Sequence, residues 1–162
     1  MYQFNRKGEN KMLAKQVSRH KEIYCTTDMP LTEVFNKMME LNCACMPVVE
    51  SPTHKNIIGT ITEHDICLKT ITEGLNPQRI RAGRVLNGDF TTVNCDATIE
   101  ECAELLKRTK AKRLFVIDEN GAFMGILTEK ELKSEKPALN LETVITDLTK
   151  PAALPKKIQL AF

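Results

Sequence analysis

The sequence predicts an α+β protein made of two tandem β-α-β-β-α units packed about a pseudo-twofold axis. Three observations predict it. The chain repeats itself over most of its length. Each copy switches from helical to extended apolar spacing in the same order. At 162 residues, 42% apolar and 27% charged, it can build the core of one domain or of two very small ones.

The repeat aligns Ala14 to Glu50 with Ala82 to Asp118 at a constant offset of 68, so that Val17 falls on Val85, Asp28 on Asp96, Glu33 on Glu101 and Val48 on Val116. Past a turn the register changes, and Gly59-Thr60-Ile61-Thr62-Glu63 meets Gly125-Ile126-Leu127-Thr128-Glu129 at an offset of 66. The two additional residues of the first copy lie in the polar stretch Ser51 to Asn56, and an exposed turn absorbs such an insertion at little cost.

Each copy opens with a short extended segment, Ile23-Tyr24-Cys25 or Thr91-Thr92-Val93. A helix follows, its apolar face set by Leu31, Val34, Phe35 and Met38, or by Ile99, Cys102, Ala103 and Leu106. Thr98-Ile99-Glu100-Glu101 is a capping box that starts the second of these helices. Two apolar runs then form a hairpin buried on both faces, Met46 to Val49 with Ile57 to Ile61, and Leu114 to Ile117 with Phe123 to Leu127. A final helix begins at Thr62 or Thr128. The expected division is an N-terminal extension (1–12), a first unit with its connector (13–80), a second unit (81–136) and a C-terminal helix and tail (137–162). In that tail Asn140 caps a helix with Leu141, Val144, Ile145 and Leu148 on one face, and Pro151 stops it. This helix is expected to cover apolar surface of the module or of a second subunit, or to dock on an effector.

Composition narrows the function. Lys and Arg number 23 against 21 Asp and Glu, a net charge of +2, which disfavours a general nucleic-acid binder. Aromatic residues are 5% and Trp is absent, so stacking surfaces for single strands are scarce. No apolar run reaches membrane-spanning length, and no apolar block follows the first charges as a secretory signal would require. The six cysteines are expected to be reduced thiols of a cytoplasmic protein. Cys43-Ala44-Cys45 lacks the paired spacing of a structural zinc site, and no Walker loop, nucleophile elbow or His-Glu-x-x-His motif occurs. No metal, catalytic residue or enzymatic activity is expected.

The unit with Pro47-Val48-Val49 and Gly59-Thr60-Ile61-Thr62-Glu63-His64-Asp65 resembles the CBS domain, and Leu114 to Gly121 with Gly125-Ile126-Leu127-Thr128 resembles a second. Two in tandem resemble a CBS pair, or Bateman module, over roughly residues 14 to 133. The resemblance implies a non-catalytic regulatory module that binds an adenosine-containing ligand in a cleft between paired units. It also implies a homodimer and an effector enzyme or transporter as partner.

Spacing alone makes Thr62 an N-cap and Asp65 a first-turn acid. The resemblance adds that Gly59, Thr62 and Asp65, in a Gly-x-x-Thr-x-x-Asp pattern, hold a ribose and the nearby phosphate. Glycine at position 59 allows a ligand or a neighbouring backbone to come close. Lys107, Arg108 and Lys110 suit a helix end, whereas Lys112 and Arg113 enter the next strand, where the family's basic residues reach phosphates. One composite site therefore joins Gly59, Thr62 and Asp65 to Thr91, Lys112 and Arg113. The pseudo-symmetric position joins Thr128 and Glu131 to Ile23, Ala44 and Cys45, without a cation, and is expected to be weak, empty or selective for an uncharged ligand. The expected ligand is AMP, ADP or ATP, acting as a regulatory ligand rather than a required cofactor. S-adenosylmethionine, NAD(H) and a structural adaptor without ligand are the alternatives. Arg79, Arg81 and Arg84 suit a solvated connector, with a phosphate contact or an acidic partner as the other possibility.

Overall fold

The computed structural model describes residues 11–19 and 22–135; the expected C-terminal helix lies outside them. Within that span the chain forms α1 (Ala14–Val17), β1 (Cys25–Thr26), α2 (Leu31–Glu40), β2 (Cys45–Val49), β3 (Ile57–Thr62) and α3 (Glu63–Thr72). A 3-10 turn at Ala82–Arg84 leads into β4 (Thr92–Asn94), α4 (Ile99–Thr109), β5 (Arg113–Ile117), β6 (Phe123–Thr128) and α5 (Glu129–Glu135). The α+β architecture and the doubled β-α-β-β-α order agree with the sequence reading.

Each unit has a three-stranded sheet, ordered β1-β2-β3 or β4-β5-β6. β1 runs parallel to β2 because α2 carries the chain back, while β2 and β3 are antiparallel across their turn. The second unit repeats this pattern, including a register shift at Val116/Ile117 that matches the one at Val48/Val49.

Burial explains the continuous apolar runs. Met46, Val48 and Ile61 turn toward Leu31, Val34 and Met38 of α2, forming the first unit's core. Leu114, Val116 and Leu127 do the same against Cys102, Leu106 and Leu132. The alternate residues Cys45 and Val49 meet Phe115, Phe123 and Ile126 in a third cluster between the two sheets. β2 is thus covered by its own helix on one side and by the other unit on the other, and all five of its residues are buried.

The units also exchange their leading segments. Ala14 and Val17 of α1 belong to the core of the second unit, and their repeat equivalents Ala82 and Val85 to that of the first. Arg19 pairs with Ile126 through two backbone bonds of 2.9 and 2.8 Å, and Asn87 pairs with Thr60 through two of 2.8 Å. Glycine is required at these crossings. A Cβ on Gly59 would lie 2.0 Å from Leu86 Cδ1 and 2.8 Å from the Asn87 carbonyl oxygen. At the equivalent Gly125 it would lie 3.0 Å from the Arg19 carbonyl oxygen.

One helix face differs from expectation. Phe35 is 39% exposed, because Leu31, Val34 and Met38 already fill the stripe that α2 turns inward. Met39, Leu68 and Ile71 are also exposed, at 61%, 42% and 78%.

Candidate functional site

The first group of site residues is organised by the start of α3. Thr62 ends β3 in an extended conformation, and its side chain caps the helix that follows. Its backbone N–H donates to Asp65 Oδ2 at 2.9 Å, and its hydroxyl donates to the same oxygen at 2.6 Å. The Asp65 N–H in turn donates to Thr62 Oγ1 at 3.1 Å. This capping box pins the carboxylate at the positive end of the helix. The second unit has a longer version. Thr128 N–H donates to Glu131 Oε2 at 2.9 Å, and the Thr128 hydroxyl donates to that oxygen too.

The second group is placed by the end of α4. Lys110 closes that helix in the left-handed conformation, with φ of 55°. The chain turns there and delivers exposed Lys112 and half-buried Arg113 to the mouth of β5. Lys107 and Arg108 remain in the last helical turn, where cations complement the helix dipole.

A cavity of about 410 Å3 lies where these groups meet. Small-molecule sites fall in the range of roughly 300–1,000 Å3. Thr60 and Thr62 come from the first unit, and Thr91, Lys112 and Arg113 from the second. Cys45, read from the sequence as part of the pseudo-symmetric position, lines this same cavity. Strand register accounts for it, since Cys45 is paired with Thr62.

The remaining predicted residues are placed as follows. Asp65 stands behind Thr62 in the cap and is absent from the cavity wall. Gly59 is closed off by Leu86 and Asn87, so its small size serves a neighbouring backbone rather than a ligand. Ile23, assigned from sequence to the second position, is 4% exposed within the first unit's core, because it lies two residues before β1 and packs with Leu31 and Val34 of α2. Thr128 and Glu131 meet in their own cap, and Ala44 is exposed. The connector arginines lie outside the cavity wall: Arg81 donates to the Asp28 carbonyl, and Arg84 sits 3.7 Å from Glu73.

Sequence reasoning missed Thr60, Asp89, Phe90, Thr109, Ala111 and Phe115, which complete the wall. Thr60 had a visible signal, as the polar residue two before Thr62 on the same strand face. Phe90 and Phe115 had none, because they are brought together only by packing; their rings stand edge to face, 6.3 Å apart.

The cavity sets its own thiol chemistry. Burial pushes the Cys45 thiol above its ordinary pKa, while the charge of the Arg113 guanidinium opposes the shift. Cys43 is likewise raised by burial and opposed by Arg113. Both thiols stay protonated at neutral pH, so Arg113 has no thiolate to neutralise. Among the described residues, no three His, Cys, Asp or Glu side chains gather closely enough to hold a metal ion, and no helix is long and apolar enough to cross a membrane.

Two similar units with a cleft between them make this a paired module. The CBS-domain family model matches residues 14–69 and 82–137, so the chain belongs to the CBS-domain family. A curated archaeal relative, an uncharacterized protein of Methanocaldococcus jannaschii, is 29% identical over 120 residues, which are 74% of this chain and 63% of that protein. The chain thus spans less than two thirds of that relative's length. Among solved structures, Hypoxic Response Protein I with two coordinated zinc ions is similar at a TM-score of 0.65 and 22% identity, over 76% of this chain and 98% of that one. CBSX2 of Arabidopsis thaliana, in complex with AMP, is similar at a TM-score of 0.62 and 18% identity, over 76% and 94%. Modules of this class are typically regulatory and nucleotide-binding.

Proposed function

We propose that this CBS pair is a non-catalytic sensor that binds an adenine nucleotide in the cavity between its units and signals occupancy to a partner. The observation that carries the reading is the shared cavity wall, with Thr62 contributed by one unit and Thr91, Lys112 and Arg113 by the other. The Thr62 hydroxyl on the cavity wall, held from behind by Asp65, is suited to a ribose hydroxyl. Lys112 and Arg113 supply charge-assisted hydrogen bonds to phosphate, roughly twice as strong as neutral ones. The AMP complex of CBSX2 supports an adenine nucleotide as the ligand class.

Signalling follows from differential binding. A ligand that touches both units stabilises the arrangement in which both contacts can be made, and only by its preference for that arrangement. Titration calorimetry with AMP, ADP and ATP tests the reading. Saturable binding of at least one of them is expected; no heat with any, together with a melting curve that no adenosyl compound shifts, would favour a structural adaptor.

The reading includes a cytoplasmic homodimer that acts on an effector enzyme or transporter. Exposed Phe35, Met39, Leu68 and Ile71 on α2 and α3 support pairing through the first unit's helices. Sedimentation should give a dimer at micromolar concentration and a monomer for Ile71→Asp; a monomeric parent protein contradicts this part.

A further inference from the structure

Cys45 and Arg113 occupy the same position in the two repeats, 68 residues apart. Both line the same cavity, and Cys45 packs in one cluster with Phe115, two residues along β5 from Arg113. Residues related by a twofold operation come near one another only close to its axis. The cavity that both line therefore lies close to the pseudo-axis of the module.

Register extends this point into a row. Cys45 is opposite Thr62 on β3, and Arg113 is opposite Thr128 on β6. Residues directly opposite in an antiparallel pair project to the same face. Thr62, Cys45, Arg113 and Thr128 thus run in sequence from one unit to the other. Apply the pseudo-twofold to the cavity beside Thr62, and its image beside Thr128 has Arg113 in the role of Cys45 and Cys45 in the role of Arg113. Both halves converge on the same two side chains.

The chemistry of the pair is unequal. Arg113 is a permanent cation with several donors, and Cys45 is a neutral thiol held protonated by burial. The other cation of the cavity, Lys112, has Ala44 as its equivalent. An anionic group approaching from either half is drawn to the one guanidinium, and a second one placed there meets like charge within a few ångströms.

We propose that the module has a single phosphate-binding position, shared by both halves at the pseudo-axis and centred on Arg113, so that each chain takes one nucleoside phosphate at a time. This rests on the adenine-nucleotide reading above and adds to it a stoichiometry and a cause. The limit is set by competition for one cation, not by the absence of a lysine in the second half.

Two full-length proteins, the parent and Ala44→Lys, separate those causes by equilibrium dialysis with labelled AMP. Ala44 is exposed, so lysine is accommodated there without disturbing the core. A shared position predicts one AMP per chain in both proteins, with binding several-fold tighter in Ala44→Lys and more than tenfold weaker in Arg113→Ala. Phosphorus NMR of the saturated parent should show one bound resonance. Two AMP per chain in the parent, or a rise from one to two in Ala44→Lys, would overturn the shared position while leaving the nucleotide reading intact. Absence of AMP binding in every protein would overturn both.

Discussion

The two units share one backbone plan and differ where they meet. In the first, β2 begins with a neutral thiol after an alanine; in the second, β5 begins with a guanidinium after a lysine. In the first, α3 is capped by Thr62 with the short carboxylate of Asp65; in the second, Thr128 is answered by the longer Glu131. The apolar positions that define the cores are repeated closely, from Val48 and Val116 to Gly59 and Gly125. Duplication thus preserves the scaffold, while a few side chains give the cleft its polarity: hydroxyls and a thiol on one side, two cations and the Asp89 carboxylate on the other.

Three sets of experiments probe that comparison, beginning with the largest effect. Gly59→Val would drive a side chain into Leu86 and the Asn87 backbone, and should lower stability by about 3 kcal/mol. Gly88→Val, where nothing lies within 4 Å of the added Cβ, is the control. Urea unfolding checks both, and a Gly59→Val protein as stable as the control would break the claim that the leading segments are exchanged.

The carboxylate comparison is next. Asp65→Ala, which releases the Thr62 hydroxyl on the cavity wall, should weaken AMP binding by about 1 kcal/mol. Glu131→Ala should leave AMP affinity nearly unchanged. Calorimetry that finds equal losses would make the two ends of the cleft equivalent.

The smallest effect concerns the thiols, which are found in both units. Burial raises Cys25 to about 12 and Cys102 to about 11, against an ordinary value of 9.0. Below pH 9 both folded and unfolded chains keep these protons, so the associated stability is fully present. Between pH 9 and 11 the unfolded chain releases them while the folded chain does not, and stability falls as pH rises. Denaturant midpoints across that window should decrease in the parent and decrease less in Cys25→Ala. Against a disulfide reagent at pH 8, exposed Cys67 should react first and buried Cys25 and Cys102 last.

The fold was legible because its determinants are local and were written twice. Helical spacing, capping residues and turn composition can each be read from a short window, and the second copy checks the first. Phe35 escaped because spacing cannot tell how wide a stripe the neighbouring strands will cover. The exchange of leading segments escaped because Ala14 and Ala82 look alike in sequence, and only packing decides which core each enters. The site was legible where an element begins or ends: Thr62, Lys112 and Arg113 reach the cavity wall together. Cys45 was assigned to the other end of the cleft, because equivalence between repeats does not reveal that two equivalent residues line one cavity. Gly59 had two readings in sequence, and the approach of Asn87 decides between them.

The central claim is that one cleft is completed by both units. A crystal structure of the protein grown with AMP tests it most directly. The ribose is expected beside Thr62 and the phosphate within hydrogen-bonding distance of Arg113. AMP bound wholly within one unit, with its phosphate remote from Lys112 and Arg113, would contradict it.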